Sequence, residues 1–170
     1  GNMGEPMAAN LVKAGFDVIG FDLIEEAKKK AKQNGIQIAK GAVSASENVD
    51  ALISMLPASE HVESLYLGED GLLSKLDKTV LIIDSSTIAP DSAIKVANQA
   101  KDLELSMIDA PVSGGVVGAQ ESKLTFIVGG AENNVERARP LLEKMGSNIF
   151  HAGSNGAGQV AKVCNNMLLA

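Results

Sequence analysis

The sequence predicts an α/β fold built on a doubly wound, mostly parallel sheet. Two observations carry that prediction. Short apolar runs alternate with helical segments along almost all of the 170 residues, and strands separated by helices pair in parallel through right-handed crossovers. In addition, Asp17–Asp22, Ala51–Met55 and Thr79–Ile83 each run into a polar or proline turn (Asp22, Leu56-Pro57, Asp84-Ser85-Ser86-Thr87). Ligands of an open parallel sheet bind at such carboxyl ends.

The elements follow in order. Met3, Met7 and Leu11 recur four residues apart, which predicts an amphipathic helix with Pro6 in its first turn and Gly15 at its end. Asp17–Asp22 reads as a strand, 25–34 as a charged helix stopped by Gly35, and 36–39 as a short strand. Ser44 is expected to cap a brief helix with Glu47 as its capping-box partner. A buried strand at 51–55, a helix at 59–66, a strand at 79–83, a helix at 90–101 opened by Pro90 and a strand at 105–109 come next. A strand at 123–128, a helix at 134–145, a strand at 149–151 and a final helix from near Asn155 complete the chain. The glycines at 129–130 and 153–158 read as turns, and those from 156 to 158 are the candidate domain boundary.

Bulk properties exclude several classes. Net charge is −6, with no Trp and no basic patch, which argues against nucleic acid and against a membrane surface. No apolar run approaches the ~20 residues that span a bilayer. Cys164 is the single cysteine, and His61 and His151 are too dispersed for a zinc site.

Gly1-Asn2-Met3-Gly4 opens the first helix as the second half of a G-x-G-x-x-G fingerprint. In that motif glycines let a pyrophosphate approach backbone N–H groups at a helix N-terminus. Asp22 ends the next strand, near the ~20-residue spacing of a carboxylate that binds a ribose 2′-hydroxyl. No arginine follows to hold a 2′-phosphate, so NAD is favoured over NADP and the domain reads as Rossmann-type. A glycine-rich helix start followed by a strand-end aspartate is the plainer alternative. Leu56, Pro57 and Thr87 would line the path from adenine ribose to nicotinamide, while Ser85, Ser86 and Thr87 also suit capping before Pro90.

From Met145 to Ala170 the only formal charge is Lys162, in an otherwise apolar helix beside Gln159, Asn165 and Asn166. Oxidising an alcohol with NAD requires a base for the hydroxyl proton. A desolvated lysine serves if its pKa falls from ~10.4. Asn166 lies four residues on, on the same helix face. A snorkelling lysine on a half-exposed helix is equally compatible with these residues. Ser113, Gly114 and Gly115 offer a hydroxyl and unshielded N–H donors for a small carboxylate; taken alone they read as an ordinary turn.

Taken together, the segments 1–11, 84–88, 109–115, 124–130 and 156–170 resemble the β-hydroxyacid dehydrogenase family over essentially the whole chain. The resemblance implies NAD-dependent oxidation of a small 3-hydroxy acid to a semialdehyde, here 3-hydroxyisobutyrate to methylmalonate semialdehyde in valine breakdown. It implies Lys162 as the catalytic base, Ser113, Gly114, Gly115 and Asn166 as substrate contacts, and Gly1, Asn2, Met3, Gly4, Asp22, Leu56, Pro57 and Thr87 as cofactor contacts. His61 stands where close relatives carry asparagine at the cofactor. The resemblance further implies residues 1–154 as a dinucleotide domain lacking its first strand, and residues 155–170 as the start of a helix leading to an all-helical domain. A homo-oligomer is implied for the full-length protein, in the cytoplasm of a bacterium or the mitochondrial matrix of a eukaryote. The 170 residues alone are expected to be poorly stable and inactive. The alternatives are a relative reducing tartronate, glyoxylate or succinic semialdehyde, and a dinucleotide-binding module without chemistry. Phosphogluconate dehydrogenase is disfavoured because the Asp22 strand end lacks the arginine of an NADP site.

Overall fold

A computed structural model describes residues 1–68 and 70–169. Helix α1 (Gly4–Lys13) turns Met7 and Leu11 inward, as their spacing predicts. Strand β1 (Ile19–Gly20), helix α2 (Glu25–Gln33) and strand β2 (Gln37–Ile38) form a parallel βαβ unit. The predicted strand at 17–22 shortens to two paired residues because β2, its one neighbour among the described residues, offers only two. Helix α3 (Ala42–Ala45) is capped differently from expectation. Gly41 holds the cap position, and Ser44 sits inside the helix, its Oγ accepting from Gly41 N–H (3.2 Å).

Strands β3 (Ala51–Ser54), β4 (Leu81–Asp84) and β5 (Ser106–Asp109) form a parallel ladder in unbroken register. They are linked by helix α4 (Ser59–Tyr66), a 3₁₀ turn at Leu72–Ser74 and helix α5 (Pro90–Asp102). Among the described residues β1 pairs with β2 and β3 with β4, so the chain holds two separate sheets.

Beyond β5 antiparallel pairing enters the mostly parallel sheet that the sequence predicts. Strand β7 (Leu124–Gly129) runs antiparallel to β5 at Asp109–Gly129 and to β6 (Val112–Ser113) at Val112–Phe126 and Ser113–Thr125. Ile127 N–H donates to Pro111 O (3.0 Å) in the same register. Residues 106–113 therefore make one long bent strand, its first half paired with β4 and its second with β7. The bend falls at Pro111, which has no N–H to give a ladder. The predicted turn at Ser113-Gly114-Gly115 is thus the end of a strand. Gly114 takes φ +124°, a conformation L side chains rarely adopt, and starts α6 (Gly115–Gln120). That helix is too short to cross a sheet, so the chain reverses and returns antiparallel. Helix α7 (Glu132–Met145) then leads to β8 (Gly146–Gly153), parallel to β7, and α8 (Ala157–Leu169) closes the order.

The larger sheet is buried on both faces, which is why β4 reads as an unbroken apolar run. Leu81, Ile83, Ile108 and Phe126 pack with Met7, Leu11, Val135 and Leu142 of α1 and α7. Ile82 and Met107 pack on the other side with Val62, Tyr66 and Val96 of α4 and α5. The helices thus sit in two layers and leave the carboxyl ends of β3, β4 and β5 at one rim.

Candidate active site

Three strand ends finish in aspartate: Asp84 in β4 and Asp109 in β5 at that rim, and Asp22 after β1 of the smaller sheet. Each carboxylate organises the loop above it. Ile24 N–H donates to Asp22 Oδ1 (2.9 Å), and a Cβ at Gly1 would stand 3.9 Å from Asp22 Oδ2, so the carboxylate lies beside the glycine turn. The first backbone bond of α1 runs from Glu5 N–H to Gly1 O (3.1 Å), and no side chain caps this helix. The N–H groups of Asn2, Met3 and Gly4 precede that bond, at the positive end of the helix dipole. An uncapped helix start beside a carboxylate fits the pyrophosphate and ribose of a dinucleotide.

The tract continues without a break. Gly4 lies against Met55, at the end of β3. Leu56 N–H donates to Ser86 Oγ (2.8 Å), which joins the 55–57 loop to the loop bearing Thr87. Asp84 Oδ1 accepts from Ser86 Oγ (2.6 Å) and Ser54 Oγ (2.7 Å), and Tyr66 OH donates to Ser54 Oγ (2.8 Å). This buried network ties β3, α4 and β4 together under the rim. Burial pushes the Asp84 carboxyl above its ordinary range, against the pull of the Ser86 and Ser54 donors.

Helix α8 docks on the same rim. Asp109 Oδ1 accepts from Gly156 N–H (2.7 Å) and Oδ2 from Gln159 N–H (3.2 Å), so a strand-end carboxylate caps a helix far away in sequence. Asn155 Nδ2 donates to Met107 O (2.9 Å). Burial pushes the Asp109 carboxyl up to about 6, the hydrogen bonds from Gly156 and Gln159 opposing, with the nearby Asp84 charge adding to the rise. Gly158 packs flat on β7, where a Cβ would stand 2.4 Å from Ile127 O. Lys162, one turn further on, is only 7% exposed. Burial pushes its amine below the ordinary lysine range, with no neighbouring charge contributing. A lysine whose pKa is lowered gives up its proton more readily than a solvated one.

The family described as the NAD-binding domain of 6-phosphogluconate dehydrogenase matches residues 1–153. This chain belongs to that family. It is 58% identical over 169 residues to a 3-hydroxyisobutyrate dehydrogenase of Pseudomonas aeruginosa, covering 99% of this chain and 57% of the relative. It is 54% identical over 170 residues to an NAD-dependent L-serine dehydrogenase of the same organism, covering 100% of this chain and 57% of that one. A solved 3-hydroxyisobutyrate dehydrogenase of Mycobacterium tuberculosis with L-serine superposes with a TM-score of 0.95 at 47% identity, over 99% of this chain and 57% of that one. The chain thus spans about half the length of the curated relatives it matches.

The predicted residues lie within the matched domain except Lys162 and Asn166, which lie beyond it on α8. Gly1, Asn2, Met3, Gly4, Asp22, Leu56, Pro57 and Thr87 lie along the rim, with Asn2, Pro57 and Thr87 exposed. His61 is exposed in the first turns of α4, just beyond Pro57. Ser113 is half-buried, and Gly114 and Gly115 are exposed. No hydrogen bond among the described residues joins these three to Lys162, but both groups meet β7: Ser113 pairs with Thr125, and Gly158 packs on Ile127 O. Asn166 is exposed, whereas the neighbouring Asn165 is half-buried and its Nδ2 has no partner among the described residues.

Asp109 and Gln159 carry structural weight that the sequence reading did not assign. Their signals were present: an aspartate ending a buried apolar strand needs donors, and a glutamine in an apolar helix needs both kinds of partner.

Proposed function

We propose that the intact protein is an NAD-dependent dehydrogenase of small 3-hydroxy acids, with 3-hydroxyisobutyrate the favoured substrate and methylmalonate semialdehyde the product. The observation that carries this is Lys162: a buried lysine without an ion pair among the described residues, on the helix α8 whose first turn is held to the end of β5. Neutral Lys162 takes the hydroxyl proton as the carbinol C–H bond breaks. Bound NAD supplies the hydride acceptor. Asn2, Met3 and Gly4 N–H groups receive the pyrophosphate, Asp22 receives the ribose hydroxyls, and Leu56, Pro57, His61 and Thr87 line the way toward Lys162. Ser113, Gly114, Gly115 and Asn166 receive the substrate carboxylate and oxygen, as neutral donors that leave the amine's charge state undisturbed. L-Serine is a second candidate substrate, because it is also a 3-hydroxy acid and relatives this similar are named for it or solved with it.

The reading extends to assembly and place. Val160, Met167 and Leu168 of α8 are exposed at 50%, 75% and 87%, and an apolar stripe of this kind suits cover by further protein, including a second copy in a homo-oligomer. The cytoplasm of a bacterium, or the mitochondrial matrix of a eukaryote, would supply the substrate. Among the described residues no helix is long and apolar enough to cross a membrane.

The substrate test is initial-rate turnover of the intact protein on 3-hydroxyisobutyrate, L-serine, glycerate and 4-hydroxybutyrate. The highest kcat/KM is expected for 3-hydroxyisobutyrate; a higher value for glycerate or 4-hydroxybutyrate moves the protein to the semialdehyde reductases, and no turnover of any of them removes the reading. The cofactor assignment has its own expected outcome. Asp22→Ala removes a charged hydrogen-bond acceptor, about 1.5–3 kcal/mol, so the preference for NAD over NADP should fall roughly 10- to 100-fold. An unchanged ratio of the two kcat/KM values would place the ribose elsewhere.

A further inference from the structure

Gln159 is fully buried on α8, three residues before Lys162 and so on the same side of the helix. Its side-chain amide meets the loop above β4 twice. Ile88 N–H donates to Gln159 Oε1 (3.1 Å), and Gln159 Nε2 donates to Ser86 O (2.8 Å). The amide's orientation is dictated by these partners, since a backbone N–H needs the oxygen and a carbonyl needs the NH₂. The two bonds flank Thr87, pairing with the residue on either side of it as a neighbouring strand would. Thr87 itself is exposed while Ser86 and Ile88 are buried. Meanwhile Gln159 N–H is fixed to the end of β5 through Asp109. One residue thereby joins the loop that presents Thr87, the end of β5 and the helix that carries the amine.

We infer that Gln159 is a positioning residue that sets the spacing between the Thr87 loop and Lys162, and hence between the nicotinamide and the base. This rests on the proposed dehydrogenase reading, in which both sides of the gap take part in one proton and hydride transfer. A misplacement of about 1 Å in such an arrangement costs on the order of 10²-fold in rate. A glutamine that only stabilised the fold would leave kcat per folded molecule alone.

The experiment compares Gln159→Leu and Gln159→Glu with wild type in the intact protein. Four quantities are read: kcat, KM for NAD, the isotope effect of deuterium on the hydroxyl-bearing carbon, and amide hydrogen exchange at Ile88. For Gln159→Leu the expected result is a kcat fall of roughly 30- to 100-fold and a KM for NAD within about threefold, because Asp22 and the glycine turn are untouched. The isotope effect should rise, and exchange at Ile88 should quicken. Gln159→Glu keeps the acceptor for Ile88 N–H but opposes a carboxylate to Ser86 O. Its rate relative to wild type should therefore recover as pH falls, when the protonated carboxyl donates where the amide did. If Gln159→Leu does not fold, the Gln159→Glu ratio and its pH profile carry the test. Wild-type kcat and isotope effect in the folded variants, with no pH-dependent ratio, overturn the inference. An inactive wild type instead overturns the dehydrogenase reading, so the two failures are distinct.

Discussion

Replacing Lys162 by alanine is expected to lower kcat by roughly 10²- to 10⁴-fold, the range over which a positioned general base contributes, while leaving NADH binding nearly unchanged. Lys162 is a buried residue, and partial desolvation of its amine moves its pKa down. The sign of the pH dependence follows. The neutral amine is the active form, so kcat/KM should rise tenfold per pH unit on the acid side and level off above the folded pKa. Because burial lowers that pKa, the plateau should begin below the ~10.4 of a free lysine side chain. Lys162→Arg separates charge from basicity: a guanidinium stays protonated throughout, so it should be as inactive as the alanine variant. Lys162→Ala should also lose the acid limb from whatever activity remains. Turnover within threefold of wild type, or an unchanged limb in the alanine variant, would assign the proton to another group. Loss of fold is not the expected cause of inactivity. A group whose folded pKa is depressed costs stability while it is protonated, so Lys162→Met should melt no lower than wild type at neutral pH.

The sequence made the layering legible because its signals were periodic and local. The i, i+4 recurrence of Met7 and Leu11 put α1 on the sheet, and the unbroken apolar run before Asp84 marked a strand covered on both faces. What it did not reveal was direction. The segments at 106–113 and 124–129 look like any other strands, and only the non-local register through Asp109–Gly129 and Ser113–Thr125 makes them antiparallel. Strand pairing lies between residues far apart in the chain, so composition and period do not encode it. The candidate site shows the same division. Gly1–Gly4, Asp22 and Lys162 stood out by residue type and spacing. Asp109 and Gln159 did not, because their roles come from partners 47 and 71 residues away, at Gly156 and Ile88. The Ser44 cap failed for a third reason: a serine near a helix start satisfies the backbone equally well from inside the first turn, where Ser44 bonds back to Gly41.

Gly158→Ala sets two physical effects against each other, and their magnitudes decide the outcome. By helix propensity alone the change should help, by at most the about 1 kcal/mol that separates alanine from glycine in a helix interior, since Gly158 stands in the first turn of α8. Packing opposes it. The new Cβ would lie 2.4 Å from Ile127 O, 2.7 Å from Asp109 Oδ2 and 2.8 Å from Gly129 N. Two of these three are backbone atoms of β7, held in the ladder with β6 and β8, and cannot swing aside as a side chain would. The third is the carboxylate that caps α8, so relieving the clash there gives up the hydrogen bonds from Gly156 and Gln159. The helix must therefore lift from the strand, carrying Lys162 with it. Overpacking of this kind costs about 1–3 kcal/mol, more than the propensity gain. A shift near 1 Å at the base costs a further factor of about 10² in rate. The expected result is a lower melting temperature together with a kcat loss approaching that of Lys162→Ala. Val160→Ala, on the exposed side of the same helix, should change neither by much. A Gly158→Ala protein that melts higher than wild type and turns over normally would mean that α8 does not rest on β7 in solution. The placement of the amine at the rim of the sheet would then be lost with it.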